Sequence, residues 1–370
     1  MTDDPLLVAS AALLQWLPPL LFGLYAGALS DRLDRQKLVI TVDLIRAMVL
    51  AVLAAVILTD TVSIALVLGA LFALATAEVF ADTTSQTLLP MLVDRDDLAV
   101  GNARMQAGFV TVNQLAGPPL GAALFAVGMA LPFVAQAILI AAGAVLVSRI
   151  VLPRATVQAE RTSHIRHDIV EGIRWVRHHP AVRTLVLTIF IFNITFGAAW
   201  SVLVLYATQR LGLGEIGFGL LTTVMAAGGL LGTLSYGWIT RRLSLGNIMR
   251  VGLIIETFTH LGLAITTVPA VAMAIFVVFG LHAFVWGTTS ITVRQRAVPT
   301  LLQGRVGSVN AVGTYGGLVV GSALGGVMAR QFGITAPFWF AFAGSAVFVV
   351  LIWRELRHIA HADEDPALAR

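Results

Sequence analysis

One kind of segment repeats along this chain and constrains everything else: eleven apolar runs of about 20 residues, joined by short polar or basic connections. A bilayer core of about 30 Å takes roughly 20 residues of helix, and in lipid a helix satisfies its own backbone hydrogen bonds. The runs cover approximately Leu6–Leu29, Leu38–Leu58, Ile64–Leu89, Ala103–Val127, Ala130–Val151, Val182–Tyr206, Phe218–Ile239, Ile248–Thr267, Ala270–Val293, Val306–Met328 and Ala336–Ile352. They predict an all-α polytopic membrane protein. The charged fraction agrees: it is 12%, about half of what a soluble chain carries. Asp3 and Asp4, not a basic segment, precede the first run, so it does not read as a cleaved signal peptide. There is no cysteine, which excludes disulfide frameworks and thiolate chemistry. The arginines are scattered between apolar runs, which argues against a nucleic-acid partner.

Orientation follows from those arginines, because basic residues stay in cytoplasmic loops. Alternate loops hold Arg32, Arg35 and Lys37; Arg95 and Arg104; Arg154, Arg161, Arg166, Arg174 and Arg177; Arg241, Arg242 and Arg250; and Arg294, Arg296 and Arg305. The opposite loops hold only Arg210 and Arg330, while Arg354 and Arg357 follow the last run. The C-terminus is therefore expected in the cytoplasm of a cell whose plasma membrane holds the protein. The polar stretch Leu152–Pro180 divides the chain into a five-span bundle (1–152), a linker (153–180), a six-span bundle (181–356) and a cytoplasmic tail (357–370). Within the linker, Ile165, Ile169, Val170, Ile173 and Val176 fall at helical spacing and predict an amphipathic helix lying along the membrane surface.

The two bundles repeat one another. Gly27-Ala-Leu-Ser-Asp-Arg-Leu matches Gly237-Trp-Ile-Thr-Arg-Arg-Leu, and Asp82-Thr-Thr-Ser matches Gly287-Thr-Thr-Ser. The segments Leu115–Leu124 and Tyr315–Leu324 also align, and the three offsets are 210, 205 and 200. Parallel repeats of this kind occur in transporters. In this alignment the first span pairs with the second span of the latter half, and Val182–Tyr206 has no partner. The expectation is twelve helices minus the first, with Met1 an internal methionine of a longer reading frame.

The segment Gly27-Ala-Leu-Ser-Asp-Arg-Leu-Asp-Arg-Gln-Lys37 closely resembles the loop signature between spans two and three of the major facilitator superfamily. Asp168-Ile-Val-Glu-Gly-Ile-Arg-Trp-Val-Arg-His-His-Pro180 is similar to the linker of its macrolide-efflux and enterobactin-exporter branch. Asn193, Gly197 and Leu211–Leu220 resemble that branch's seventh span and following loop. The resemblance implies two pseudo-symmetric helical bundles, alternating access, usually proton-coupled export, no cofactor, and a monomer. It also implies a gating loop of Gly27, Asp31, Arg32, Arg35 and Lys37 that meets Asp82. The second copy of the signature departs from the pattern, with Arg241 where the first has Asp31, and Asn113 stands where the fifth-span motif has a glycine.

Charges inside spans cost at least ~2.5–3.5 kcal/mol on insertion scales, so they should be paired or functional. Arg46 and Glu78 sit at similar depth and predict an ion pair; Asp82 lies one turn from Glu78. Glu256 aligns with Arg46, His260 follows one turn on, and His282 lies in the next span. Histidine titrates near neutral pH, which makes Glu256, His260 and His282 the candidates for proton coupling. Polar and aromatic residues near span centres, Gln15, Asn113, Gln114, Gln136, Asn193, Trp200 and Trp286, are the candidate cavity lining, with Pro18 and Pro19 interrupting the backbone beside Gln15. Small residues at four-residue spacing permit close helix approach. They are Gly23 and Gly27, Gly117 (followed by Pro118) and Gly121, Gly228 and Gly232, and Gly317, Gly321 and Gly325, on the helices expected to rock.

Other signals lead nowhere. Gly212-Leu-Gly-Glu-Ile-Gly lies between membrane helices without the strand a dinucleotide fold needs, and no phosphate-binding loop surrounds Lys37. His178 and His179 read as solvated linker residues, and no metal site is expected. Three readings remain: an exporter of amphipathic small molecules (a drug, a macrolide-like compound or a siderophore) by proton antiport; an importer of the same fold; or a truncated, non-transporting membrane scaffold. No catalytic set supports an enzyme.

Overall fold

The computed structural model describes residues 3–85, 88–92, 104–105, 108–151, 165–299 and 302–356. Arg95, Arg154, Arg161 and the tail 357–370 lie outside them, as do the side chains of Gly27, Asp31, Arg32 and Gln114. Twelve helices carry the architecture: α1 (Pro5–Arg32), α2 (Arg35–Leu58), α3 (Ile64–Ser85), α4 (Gly117–Val127), α5 (Leu131–Ser148), α6 (Ile165–His178), α7 (Pro180–Trp200), α8 (Glu215–Thr240), α9 (Leu245–Ile265), α10 (Pro269–Ala297), α11 (Gln303–Phe332) and α12 (Ala336–Ile352). Among the described residues nine helices are long and apolar enough to cross a membrane; α12 is a shorter apolar helix.

Two compact units form. One holds the described residues within 14–162, and the other those within 163–370 together with the start of α1 up to Leu13. In the first unit α2 packs on α3 and α5. In the second, α7 packs on α11 and α12, α8 on α10, and α9 on α10 and α12. The linker helix α6 belongs to this second unit. Gly172 permits its approach to α11, since a Cβ there would lie 2.7 Å from the Arg305 carbonyl oxygen. Glu171 pairs with Arg305 at 2.7 Å, and Val176 is buried with Val182, Val186 and Val306. Val170, Ile173, Arg174 and Arg177 stay exposed.

Local chemistry sets the helix ends. The Asp34 carboxylate accepts from the Lys37 N–H at the start of α2, and the Ser244 hydroxyl accepts from the Asn247 N–H at the start of α9. Both satisfy amides that a first turn leaves orphaned. Pro180, Pro269 and Pro337 stand in first turns, where proline's missing N–H costs nothing. Gly333, at φ 91°, ends α11 in the left-handed region open to glycine.

Three spans depart from the sequence expectation. α1 runs unbroken through Pro18 and Pro19, so the interruption expected beside Gln15 is absent. Adjacent prolines remove two N–H donors yet leave the carbonyl side of the ladder to continue the helix. The run Ala103–Val127 is a π-helix over Phe109–Ala116 before α4. The Gly117 N–H there bonds the Val112 carbonyl, one residue further back than in an α-helix. The wider turn makes room for Pro118 and Pro119, whose rings would otherwise clash with carbonyls four residues earlier. Val182–Tyr206 breaks after Trp200 into a turn, a three-residue helical piece and the π-helical Tyr206–Arg210. The Ser201 hydroxyl bonds back to the Ala198 carbonyl at this break, a bond that competes with the regular ladder.

Candidate functional site: a polar cluster against aromatic walls

The second unit holds two neighbouring cavities, both walled by Phe196 and Phe279. The larger, about 260 Å³, also meets Phe192, Asn193, Glu256, His282, Phe284 and Trp286. The smaller is lined by Trp200, Thr259, His260 and Phe276. Helical spacing builds these walls. Phe192, Phe196 and Trp200 repeat every four residues on α7, and Phe276, Phe279 and Trp286 share a face of α10. Phe196 stacks on Trp200 at 4.9 Å and 26° and on Phe279 at 5.8 Å and 7°, and Phe279 meets His282 edge-on at 5.5 Å. A continuous ladder of rings thus runs from Trp200 to His282.

Glu256 stands at the end of that ladder. Its carboxylate lies 3.9 Å from His282 Nε2, with side chains 13% and 3% exposed. That is a charge contact beyond hydrogen-bond length. Both ring nitrogens of His282, both of His260 and Trp286 Nε1 are buried without a hydrogen-bond partner among the described residues. Asn193 is partnered, donating to the Ile189 carbonyl at 2.7 Å. Gly252 on α9 makes the arrangement possible. A Cβ there would stand 2.6 Å from Trp286 Cδ1 and 3.1 Å from His282 Nδ1. Burying so many unpaired polar atoms is costly, and such groups in a cavity wall are a place for a ligand to bond. Among the described residues no three His, Cys, Asp or Glu groups are arranged to hold a metal ion.

The first unit holds the other charged cluster. Arg46 donates to Asp43 at 3.1 Å and reaches Glu78 at 3.7 Å, with Glu78 54% exposed. Arg46 is also a charged neighbour of Asp82. Arg35 bonds the Ser30 carbonyl and the Met91 sulfur, and Lys37 is exposed beside Asp34 at 3.9 Å.

The sequence-selected cavity residues divide. Asn193, Trp200 and Trp286 line the cavities just described; Gln15, Asn113 and Gln136 are exposed on their helices. The glycines divide too. Gly317, Gly321 and Gly325 pack on the α7 backbone at Phe190, Ile194 and Ala198, and Gly228 and Gly232 pack on α10 at Val277 and Leu281. A Cβ at Gly23 or Gly121 would meet nothing, and one at Gly117 would meet only its own π-turn at Val112. Gly252 and the rings of Phe192, Phe196, Phe279 and Phe284 escaped the sequence reading. The aromatic spacing on α7 and α10 was there to be found; the role of Gly252 shows only where two helices meet.

Comparison with known proteins agrees with this architecture. The family model described as transmembrane secretion effector matches residues 1–369. The multidrug efflux pump Tap of Mycolicibacterium fortuitum is 29% identical over 341 residues, covering 87% of this chain and 80% of the pump. Macrolide efflux protein A of Streptococcus pyogenes is 24% identical over 363 residues, covering 95% of this chain and 87% of that protein. Among solved structures, the nucleoside transporter NupG superposes with a TM-score of 0.70 at 12% identity, covering 96% of this chain and 90% of the other. An inward-facing bacterial homologue of the iron transporter ferroportin gives 0.70 at 18% identity, covering 95% and 90%. At these identities the structures show a shared fold. The chain is a multi-pass membrane protein of the transmembrane secretion effector family, within the major facilitator transporters rather than any class of enzyme.

Proposed function

We propose that this protein is a secondary active exporter that moves amphipathic small molecules outward by alternating access, driven by inward proton flow. Its C-terminus lies in the cytoplasm and its lipid surroundings are the plasma membrane. The names of the two efflux relatives support the direction and the substrate class. One observation carries the coupling: Glu256 and His282 face each other at 3.9 Å on the wall of an aromatic cavity. A carboxylate so placed has to be neutralised by a proton or another cation, because an isolated charge there is too costly. Exchange of the neutralising partner is the elementary event of antiport. Asp82 together with Arg35 or the loop of Asp31 supplies a cytoplasmic latch that favours one access state, beside the Arg46–Glu78 ion pair.

Purified protein in liposomes, with an imposed pH gradient and a fluorescent amphiphile, tests this reading. The Glu256→Gln variant should lose proton-driven movement of the dye by at least tenfold, about 1.4 kcal/mol or more, while remaining folded and inserted. Unchanged gradient-driven rates would remove Glu256 from the coupling. Counterflow measured in both directions separates export from import. The Asp82→Asn variant should shift the populations of inward-open and outward-open states, read by spin-label or fluorophore distances; unchanged populations would remove the latch.

A further inference from the structure

The cavity on the second unit has a chemical signature more specific than amphipathic. We propose that this unit by itself carries a binding site for an organic cation, an amine or quaternary ammonium amphiphile, that also bears a hydrogen-bond-accepting oxygen. The inference rests on the export reading for its physiological meaning, but its geometry stands within one unit.

Charge is the first argument. Among the described residues Glu256 is the only acid on the larger cavity's wall, a negative charge once its proton leaves, and no lysine or arginine lines either cavity. Among the described residues His282 from α10 is the other titratable group on that wall, and His260, one turn along α9, lines the smaller cavity; α7 contributes the amide of Asn193, and α12 contributes Phe338 to the smaller cavity. An anionic ligand would find no counter-charge here, and among the described residues no metal-binding set is present. A cation would.

Shape and surface give the second argument. Aromatic faces attract cations, by about 2 kcal/mol or more where water is excluded. Phe196 and Phe279 are stacked nearly parallel, 7° apart, and extend from Glu256's cavity into Trp200's. An elongated apolar body would lie along this ladder with its charged head at Glu256.

The orphaned polar atoms add the third argument. Trp286 Nε1 is a buried N–H with no acceptor among the described residues, and indole nitrogen can only donate. It therefore asks for an oxygen acceptor on the ligand. The imidazoles of His260 and His282 are likewise unbonded among the described residues, and each neutral ring can donate one hydrogen bond and accept one. Gly252, having no side chain, leaves the space that Trp286 and His282 occupy against α9.

The test uses the full chain in detergent or nanodiscs and two matched fluorescent probes. One is a dansyl sulfonamide with a trimethylammonium-propyl arm. The other carries the uncharged tert-butyl-propyl arm of nearly the same shape, and both offer sulfonyl oxygens. The cationic probe should bind roughly tenfold or more tighter than the neutral one, the ratio expected of about 1.4 kcal/mol. Glu256→Gln should abolish that ratio by weakening the cation alone. Trp286→Phe should weaken both probes by roughly three- to tenfold, the worth of one hydrogen bond. Gln15→Ala and Gln136→Ala in the other unit should leave both affinities within about twofold, the noise of independent sites.

Equal affinity for the two probes in the unaltered protein would overturn the assignment. So would losses from Gln15→Ala or Gln136→Ala as large as those from Glu256→Gln. If Glu256→Gln fails to fold, the probe ratio of the unaltered protein and the Trp286→Phe loss still decide. The two proposals fail separately. Cation preference without gradient-driven transport would sink export alone; proton-driven transport without cation preference would sink this site alone.

Discussion

The two units contain the same sequence device and put it to different physical ends. In the second unit glycine lets backbones touch: a side chain at Gly280 would run into the Met225 carbonyl, and one at Gly228 into that of Val277. In the first unit a side chain at Gly23, Gly69, Gly121 or Gly143 would meet nothing among the described residues. The charges differ in the same sense. Glu256 and His282 are buried against rings, whereas Glu78 is half-exposed and shares Arg46 with Asp43. A four-residue repeat of small residues thus marks a possible approach; the neighbouring helix decides whether it happens. The second unit is the close-packed body that holds a shaped cavity, and the first carries the more exposed charge cluster.

The sharpest way to break this contrast is a matched pair of overpacking changes. Gly280→Val should destabilise the protein by about 3 kcal/mol or more, the upper range of overpacking costs, and Gly121→Val by under about 1 kcal/mol. Thermal unfolding followed by size-exclusion fluorescence reads both. Equal losses would mean the difference between the units is not one of packing.

A smaller effect is expected at the charges. Arg46→Met leaves Asp43 without its partner and should cost about 2–3 kcal/mol, below the 3–5 of a fully buried pair. Glu78→Gln, at a half-exposed position, should cost under about 1 kcal/mol. The double variant Asp43→Asn with Arg46→Met should recover most of the first loss. Denaturation midpoints of the three proteins would show it, and an Arg46→Met loss that the double variant does not recover would place the cost elsewhere.

The smallest change sharpens the second unit. The Tyr206 hydroxyl donates to the Leu263 carbonyl at 2.6 Å in the apolar cluster that includes Phe276 and Phe338. Tyr206→Phe removes that donor and should cost about 1 kcal/mol, with cation binding unchanged because the ring lines neither cavity. A lowered midpoint with unaltered probe affinity is the expected pair of results.

Much of this was legible in advance. Most span positions and the linker helix follow from hydrophobicity along one dimension, because a bilayer selects segments by length and apolarity before any of them packs. Arg46 near Glu78 and Glu256 near His282 were also foreseen, since depth in a membrane can be counted from the ends of a span. The unbroken α1 and the π-turn before Pro118 were not foreseen. How a proline's missing bond is absorbed depends on whether the local ladder widens, bends or simply continues.

What the chain alone determined is therefore a membrane protein of repeated helices with a few expensive charges. Which helices touch was decided only in three dimensions. Spacing says that Gly228, Gly252, Gly280 and Gly317 are small, but only the opposing helix turns smallness into contact, and contact is what brings Trp286, His282 and Glu256 to one wall. A periodic sequence specifies the face of each helix; the pairing of faces comes from packing, where backbone approach, ring stacking and the cost of buried charge are settled together.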